Sequence, residues 1–292
     1  MNSVGECEEL LPVVERSRAV APQTTWRRAL VTGASSGVGE AFADELAALG
    51  VDLVIVGRDL TALETVAGRA RGRGVHVEIV RADLSDEQGV AKVVASIRSA
   101  EPMVDLLVNN AGIGRAGAFV DLSSVDVHET MRVNNDALVR LTHAALLRMK
   151  QADRGCLIHV SSAASGGPVA GHALYVATKA FVTNFGQAIS QEFAGTIVTS
   201  TTVLVGYTRT KYFERNGMAP EIAESKWASA SQVARQALDA ASERRSLVTT
   251  GPSHRWLRRL STRYPGLVDS FVGRRLRQCR GFVVGDRMRV AS

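Results

Sequence analysis

Short apolar runs alternate with stretches of helical periodicity along most of the chain, and no other feature limits the fold as strongly. Ala29–Thr32, Val51–Val56, Val75–Val80, Val104–Val108, Cys156–Val160, Ile197–Val205 and Leu247–Thr250 read as strands. Helical periodicity falls between them, at Gly39–Leu49, Leu60–Arg71, Asp86–Ser99, Ser124–Lys150, Ala173–Phe193 and Gln232–Ala241. Gly50 stands where the first helix should stop, and Gly72 and Gly74 follow the second. A strand that is followed by a helix before the next strand returns parallel to its predecessor, with helices on both faces of the sheet. The expected fold class is therefore α/β, one doubly wound parallel sheet of about seven strands with right-handed crossovers. At 292 residues and 46% hydrophobic content, the chain can bury the core such a sheet needs.

The two ends depart from this rhythm. Residues 1–27 form an N-terminal extension expected to be poorly ordered. Glu6, Glu8 and Glu9 occur there, with no apolar stretch of signal-peptide length. No apolar run is long enough to span a bilayer, and the protein is expected in the cytoplasm. Residues 28–251, which carry the alternating strands and helices, are expected to make up a single domain. Residues 252–292 are a C-terminal extension in which Trp256, Leu257 and Leu260, and later Leu267, Val268, Phe271, Val272 and Leu276, alternate with arginines. This pattern predicts two short basic amphipathic helices. Twelve arginines lie in Arg244–Ser292 against only Asp269 and Asp286, so the positive net charge of the protein belongs to its tail. Cys7, Cys156 and Cys279 are far apart, lack metal-ligand spacing, and are expected to be free thiols.

Thr32-Gly33-Ala34-Ser35-Ser36-Gly37-Val38-Gly39 ends the first strand and opens the first helix. Glycines at such a turn let backbone N–H groups approach a pyrophosphate, and the helix N-terminus favours its charge. A complete strand–helix–strand unit around the turn makes dinucleotide binding the expectation. Tyr175 and Lys179 are four apart on a predicted helix, so one lies above the other on the same face. A nearby ammonium lowers the pKa of a phenol, which is otherwise near 10, too high for easy proton exchange at neutral pH. Ser162 follows the apolar strand Cys156–Val160, at the carboxyl end where open sheets bind ligands. Its hydroxyl can donate to a substrate oxygen as negative charge develops there.

These motifs, in this order, make the chain similar to the short-chain dehydrogenase/reductase family. The motifs are Thr-Gly-x-x-x-Gly-x-Gly, Asn109-Asn110-Ala111-Gly112, and Tyr175-Val176-Ala177-Thr178-Lys179 with Ser162 thirteen positions before the tyrosine. The resemblance covers Arg28 to Thr250 and implies a Rossmann-type fold. It also implies hydride transfer between a nicotinamide and a carbonyl/alcohol pair. Ser162, Tyr175, Lys179 and Asn134 would be the catalytic set, with Tyr175 as proton donor and Asn134 linking Lys179 to solvent through a water. Ser161 adjoins Ser162, and the thirteen-residue spacing selects Ser162. The alternative reading of Asn134 is a polar side chain that satisfies a helix kink.

Cofactor contacts implied by the resemblance are Gly33, Ser35, Ser36, Gly37, Val38, Gly39, Asp83, Leu84, Asn110, Ala111, Gly112, Tyr175, Lys179, Thr208 and Thr210. Arg58, which follows the second strand in Gly57-Arg58-Asp59, matches the family position that contacts a 2′-phosphate. Planar bidentate recognition suits arginine, so NADP(H) is expected over NAD(H). Asp59 is expected to cap the next helix; the alternative is that Asp59 binds ribose and Arg58 is solvated. Asp83 would face the adenine ring, or else form a capping turn. Where the family shows Pro-Gly-x-Val-x-Thr, this chain has Val205-Gly206-Tyr207-Thr208-Arg209-Thr210 and lacks the rigidity of the proline.

Lys211–Pro220 is expected to form a lid, with Tyr207, Tyr212, Phe213 and Met218 on its inner face and His172 near Tyr175. The expected substrate is a lipophilic carbonyl or alcohol, and the expected assembly is a homodimer or homotetramer formed through the two longest helices. The basic tail has three readings: contact with an anionic membrane surface, cover over the pocket or a partner subunit, or a solvated face. No motif supports nucleic-acid binding, and no metal is expected. Two other functions are compatible with the fold. A non-catalytic NADP(H)-binding sensor or scaffold is opposed by the intact Ser162, Tyr175, Lys179 and Asn134 set. An NAD-dependent alcohol dehydrogenase of the steroid type would differ in cofactor and direction. An epimerase or dehydratase would need a larger C-terminal substrate domain than this chain has after Val205.

Overall fold

A computed structural model of the chain describes residues 26–210 and 223–251. Most of the N-terminal extension, the expected lid segment Lys211–Pro220 and the basic tail at 252–292 lie outside the described residues.

Nine strands and seven α-helices follow one another among the described residues. They are β1 (Arg28–Thr32), α1 (Gly37–Ala48), β2 (Asp52–Gly57), α2 (Leu60–Arg71), β3 (Val77–Arg81), α3 (Glu87–Ser99), β4 (Leu106–Asn109), α4 (Ser124–Met131) and α5 (Leu138–Gln151). After these come β5 (Cys156–Ser162), α6 (Ala173–Glu192), β6 (Thr199–Val205), β7 (Thr208–Arg209), β8 (Ala228–Ser229), α7 (Ala230–Ser242) and β9 (Leu247–Thr250). Seven strands form one sheet in the order β3-β2-β1-β4-β5-β6-β9, and every neighbouring pair is parallel. This is the doubly wound Rossmann-type sheet that the alternation of strands and helices predicts.

The strands are buried on both faces, which is why they read as near-continuous apolar runs. One face packs Leu53 and Ile55 of β2 against Phe42, Leu46, Leu63, Val66 and Leu238 of α1, α2 and α7. The other packs Leu30, Leu107 and Leu157 against Val93 and Ile97 of α3 and Leu141 and Met149 of α5. Local signals set the helix ends. Asp59 accepts a hydrogen bond from the Ala62 N–H at 3.0 Å and starts α2, as expected. Ser229 and Gln232 form a reciprocal capping box at the start of α7. Gly50, with φ of +75°, follows the end of α1 in a conformation that glycine adopts without strain.

Two details differ from the sequence reading. The helix expected over Ser124–Lys150 takes a widened π-helical turn at Arg132–Ala137, between α4 and α5. This turn carries Asn134 and Asn135, two buried amides whose partners lie on other elements. A two-residue parallel ladder, Thr208 with Ala228 and Arg209 with Ser229, flanks the segment 211–222. It is too short to produce a periodic signal. Ahead of β1, Trp26 packs on the first core, and the Arg27 N–H donates to Asp105 at 3.0 Å. No helix among the described residues is long and apolar enough to cross a membrane.

Candidate active site

The crevice opens where the strand order reverses. β1 is flanked by β2 on one side and β4 on the other, so the connections leaving β1 and β4 diverge. Thr32 closes β1 there. Its hydroxyl donates to the Val108 carbonyl at 3.2 Å and accepts from the N–H groups of Asn110 and Ala111 at 3.0 Å each. The Asn110 amide donates to the Thr32 carbonyl at 2.8 Å. The glycine turn is thereby fixed to the end of β4.

Gly33 and Gly37 have φ of +67° and +63°, in the left-handed region. At Gly39 a Cβ would lie 2.2 Å from the Gly33 carbonyl oxygen, so only glycine lets α1 approach its own turn this closely. Ser36 precedes α1 without a side-chain capping bond, and the leading N–H groups of the helix remain available to an anion. Thr210 overhangs this turn, its methyl 3.3 Å from where a Gly37 Cβ would be. The cradle has the backbone donors, the helix dipole and the lack of side-chain bulk that a dinucleotide pyrophosphate requires, so the residues present fit the nicotinamide cofactor.

Arg58 and Asp83 meet at the rim beyond β2 and β3. Arg58 Nη1 lies 3.5 Å from Asp83 and 3.4 Å from Glu129, with the Arg58 side chain 60% exposed. Asp83 also accepts from the Ser85 N–H at 2.9 Å and the Ser85 hydroxyl at 2.7 Å. Burial raises its pKa, but the bonds from Ser85 and the charge of Arg58 outweigh this and hold it below the usual carboxylate value. Both readings of Asp83 thus share one geometry, a local turn at the edge of the crevice. Leu84 contributes its side chain to the core of the second face.

The four expected catalytic residues come from three elements. Ser162 is the last residue of β5, half-buried, and its Oγ accepts from the Ala164 N–H at 3.2 Å, which leaves its own proton to donate. Tyr175 is half-buried in the first turn of α6. Lys179, one turn on, is buried, and its Nζ donates to the Val160 carbonyl at 2.9 Å. Burial pushes its pKa down to about 8, which still leaves the ammonium mostly protonated at neutral pH. A Cβ on Gly112 would lie 3.0 Å from Lys179 Nζ and 3.4 Å from Asn134 Oδ1, so the Asn110-Ala111-Gly112 segment, Lys179 and Asn134 converge.

Asn134 is held from both sides. Its Oδ1 accepts from the Ile113 N–H at 2.8 Å, and its Nδ2 donates to the Ile113 carbonyl and to Thr178 Oγ1, each at 2.9 Å. Thr178 Oγ1 in turn donates to the Tyr175 carbonyl at 2.8 Å. Ser161 points the other way from Ser162: its hydroxyl donates to the Lys179 carbonyl at 2.7 Å and pairs with Thr183 at 2.7 Å. Thr208 is buried, and its hydroxyl donates to the Gly206 carbonyl at 3.0 Å. His172 immediately precedes α6, where burial lowers its pKa. The Tyr207 ring packs on Trp227, with centroids 6.0 Å apart. Tyr212, Phe213 and Met218 lie outside the described residues.

The sequence reading set Ser161 aside in favour of Ser162 and missed Thr178, Glu129 and Arg115. Thr178 could have been suspected from its hydroxyl three residues after Tyr175. Glu129 and Arg115 carry no motif, and their partners are distant in sequence.

A family model described as short chain dehydrogenase matches residues 27–220. Oxidoreductase UcpA of Salmonella typhimurium is 33% identical over 193 residues, which is 65% of this chain and 72% of that protein. A short-chain dehydrogenase from Sphingobium yanoikuyae, solved with NADPH, is 30% identical with a TM-score of 0.74 and covers 90% of this chain and 100% of its own. A bulky-bulky ketone specific alcohol dehydrogenase from Comamonas testosteroni is 27% identical with a TM-score of 0.71, over 91% of this chain and 100% of that one.

Proposed function

The chain belongs to the short-chain dehydrogenase family and is an oxidoreductase of that family; from this premise we propose that it reduces a bulky lipophilic ketone or aldehyde with NADPH. One observation carries the reading. A buried Lys179 ammonium, anchored to the Val160 carbonyl at 2.9 Å, stands one helical turn from Tyr175. Its charge stabilises the Tyr175 phenolate and so lowers the cost of the phenol's giving up a proton.

When bound, the nicotinamide would supply the hydride for the carbonyl carbon. Ser162 donates a hydrogen bond to the substrate oxygen and steadies its growing negative charge. Tyr175 Oη delivers the proton to that oxygen. Lys179 holds the phenolate left behind, and the widened turn at Asn134 keeps a path for proton return from solvent. Gly33, Gly37 and Gly39, with the α1 N-terminus, would hold the pyrophosphate; Arg58 would meet the 2′-phosphate, and Thr210 the carboxamide end. Support for NADPH comes from Arg58 and from the NADPH bound in the Sphingobium relative. The ketone specificity of the Comamonas relative and the aromatic residues after Val205 support a bulky apolar substrate. Two copies are proposed to pair through α5 and α6, where Leu147 and Phe181 are exposed.

The test is NADPH absorbance against a panel of bulky ketones and aldehydes, with NADH in parallel and Tyr175→Phe as control. Turnover with NADPH that Tyr175→Phe abolishes is the expected result. Equal turnover by Tyr175→Phe, or none by the wild type with either cofactor, overturns the reading.

A further inference from the structure

Arg58 does not stand alone at the rim. Its Nη1 lies 3.4 Å from Glu129 Oε1, while Glu129 Oε2 is held by Arg115 Nη2 at 2.9 Å. Arg115 is fixed in turn by Asp126, 2.7 Å from its Nε, and Asp126 itself accepts from the Ser123 hydroxyl at 2.7 Å. The Glu129 side chain is only 20% exposed. It is therefore a carboxylate pinned from behind and aimed at the arginine expected to bind phosphate. Asp83, the other acid beside Arg58, already has Ser85 as partner. Arg81 adds a cation nearby, but its Nε donates to the Arg58 carbonyl at 3.3 Å.

We infer that Glu129 sets the cofactor preference of this enzyme by competing with the adenosine 2′-phosphate for Arg58. The inference rests on the assignment of Arg58 to that phosphate. A ribose 2′-hydroxyl is neutral and tolerates the carboxylate. A phosphate monoester carries close to two negative charges at neutral pH and is repelled by a fixed carboxylate on the far side of the Arg58 guanidinium. Arg58 must trade one anion for another, and Glu129 cannot swing away because Arg115 holds it. The opposite effect, that Glu129 preorganises Arg58, is the smaller one. The pair is long, and Arg58 is largely exposed, the regime in which ion pairs contribute little. Removing the charge therefore strengthens phosphate binding more than it loosens the arginine.

The experiment titrates 2′,5′-ADP and 5′-AMP, the fragments that differ by this phosphate, calorimetrically into the wild type, Glu129→Gln, Arg58→Ala and the double variant. Thermal melts check that each is folded. Glu129→Gln should tighten 2′,5′-ADP about threefold, equivalent to about 0.65 kcal/mol and within the range of an ion pair at an exposed arginine, and leave 5′-AMP unchanged. The gain should vanish in the double variant. Weaker or unchanged 2′,5′-ADP binding by Glu129→Gln, with Arg58→Ala still impaired, overturns the role of Glu129 alone. Undiminished 2′,5′-ADP binding by Arg58→Ala overturns the Arg58 assignment and the inference with it.

Discussion

The Asn134 side chain donates to the Thr178 hydroxyl at 2.9 Å and, with the Asn135 amide on the Thr178 carbonyl at 3.3 Å, ties the widened turn between α4 and α5 to the second turn of α6. Thr178 passes the constraint on, because its hydroxyl donates to the Tyr175 carbonyl at 2.8 Å. Thr178 is thus a positioning residue between the Asn134 turn and the helix that carries Tyr175 and Lys179. Thr178→Val keeps the shape and removes the bond. It should lower kcat about tenfold, a factor worth about 1.4 kcal/mol, with KM little changed and the pH profile of kcat displaced. Thr178→Ser should restore both. An unchanged kcat and pH profile in Thr178→Val would remove Thr178 from this role.

Lys179 makes the cofactor-free protein sensitive to alkali in an unusual direction. Its pKa falls from 10.5 in the unfolded chain to about 8 in the folded protein. Between those values the unfolded chain retains a proton that the folded protein has released, so stability rises as pH increases through this window. Below pH 8 the buried charge costs about 3 kcal/mol, and Lys179→Met should be more stable than the wild type by up to that amount. Urea melts at several pH values would show the gap closing by pH 10.5; parallel curves would contradict the burial argument.

His159 predicts the acid limb. It is fully buried in β5, its Nδ1 lies 3.3 Å from Asn109 Nδ2, and burial lowers its pKa from 6.5 to about 4. As pH falls below 6.5 the unfolded chain takes up a proton that the folded protein refuses. Stability is therefore lost progressively down to pH 4, by about 3 kcal/mol in total. His159→Gln should flatten this dependence. An equally steep loss in that variant would assign it to other groups.

Two glycines should respond oppositely to the same methyl group. Gly39→Ala places a Cβ 2.2 Å from the Gly33 carbonyl oxygen, a backbone atom that cannot yield without moving the turn. A loss of about 3 kcal/mol is expected, together with loss of dinucleotide binding. At Gly68, on the exposed side of α2, a Cβ meets nothing within 4 Å. Gly68→Ala should stabilise by about 0.5–1 kcal/mol and leave binding unchanged. Thermal melts and NADPH titration by fluorescence quenching check both, and a tolerated Gly39→Ala would show the turn to be softer than its packing implies.

The spacing within single elements was legible because one helix or strand sets it. The alternation of runs predicted the parallel sheet, the glycine cluster predicted a tight turn, which Gly33 and Gly37 make with positive φ, and the four-residue step placed Tyr175 and Lys179 on one face of α6. The register Val205 to Thr210 showed the missing proline but not the short ladder with Ala228 and Ser229, whose two residues carry no periodicity. Helical periodicity continued through Arg132–Ala137, because a single widened turn hardly disturbs the apolar pattern.

Sequence alone determined the sheet, its two covered faces and the motifs at its carboxyl edge, since backbone periodicity and turn chemistry act over a few residues. Tertiary structure decided that Asn134 reaches Thr178, that Lys179 is buried against Val160, and that Glu129 confronts Arg58. These pairs are brought together by strand order and by the docking of α4 and α6. Their charges and bonds depend on distances across the fold, which local pattern does not encode.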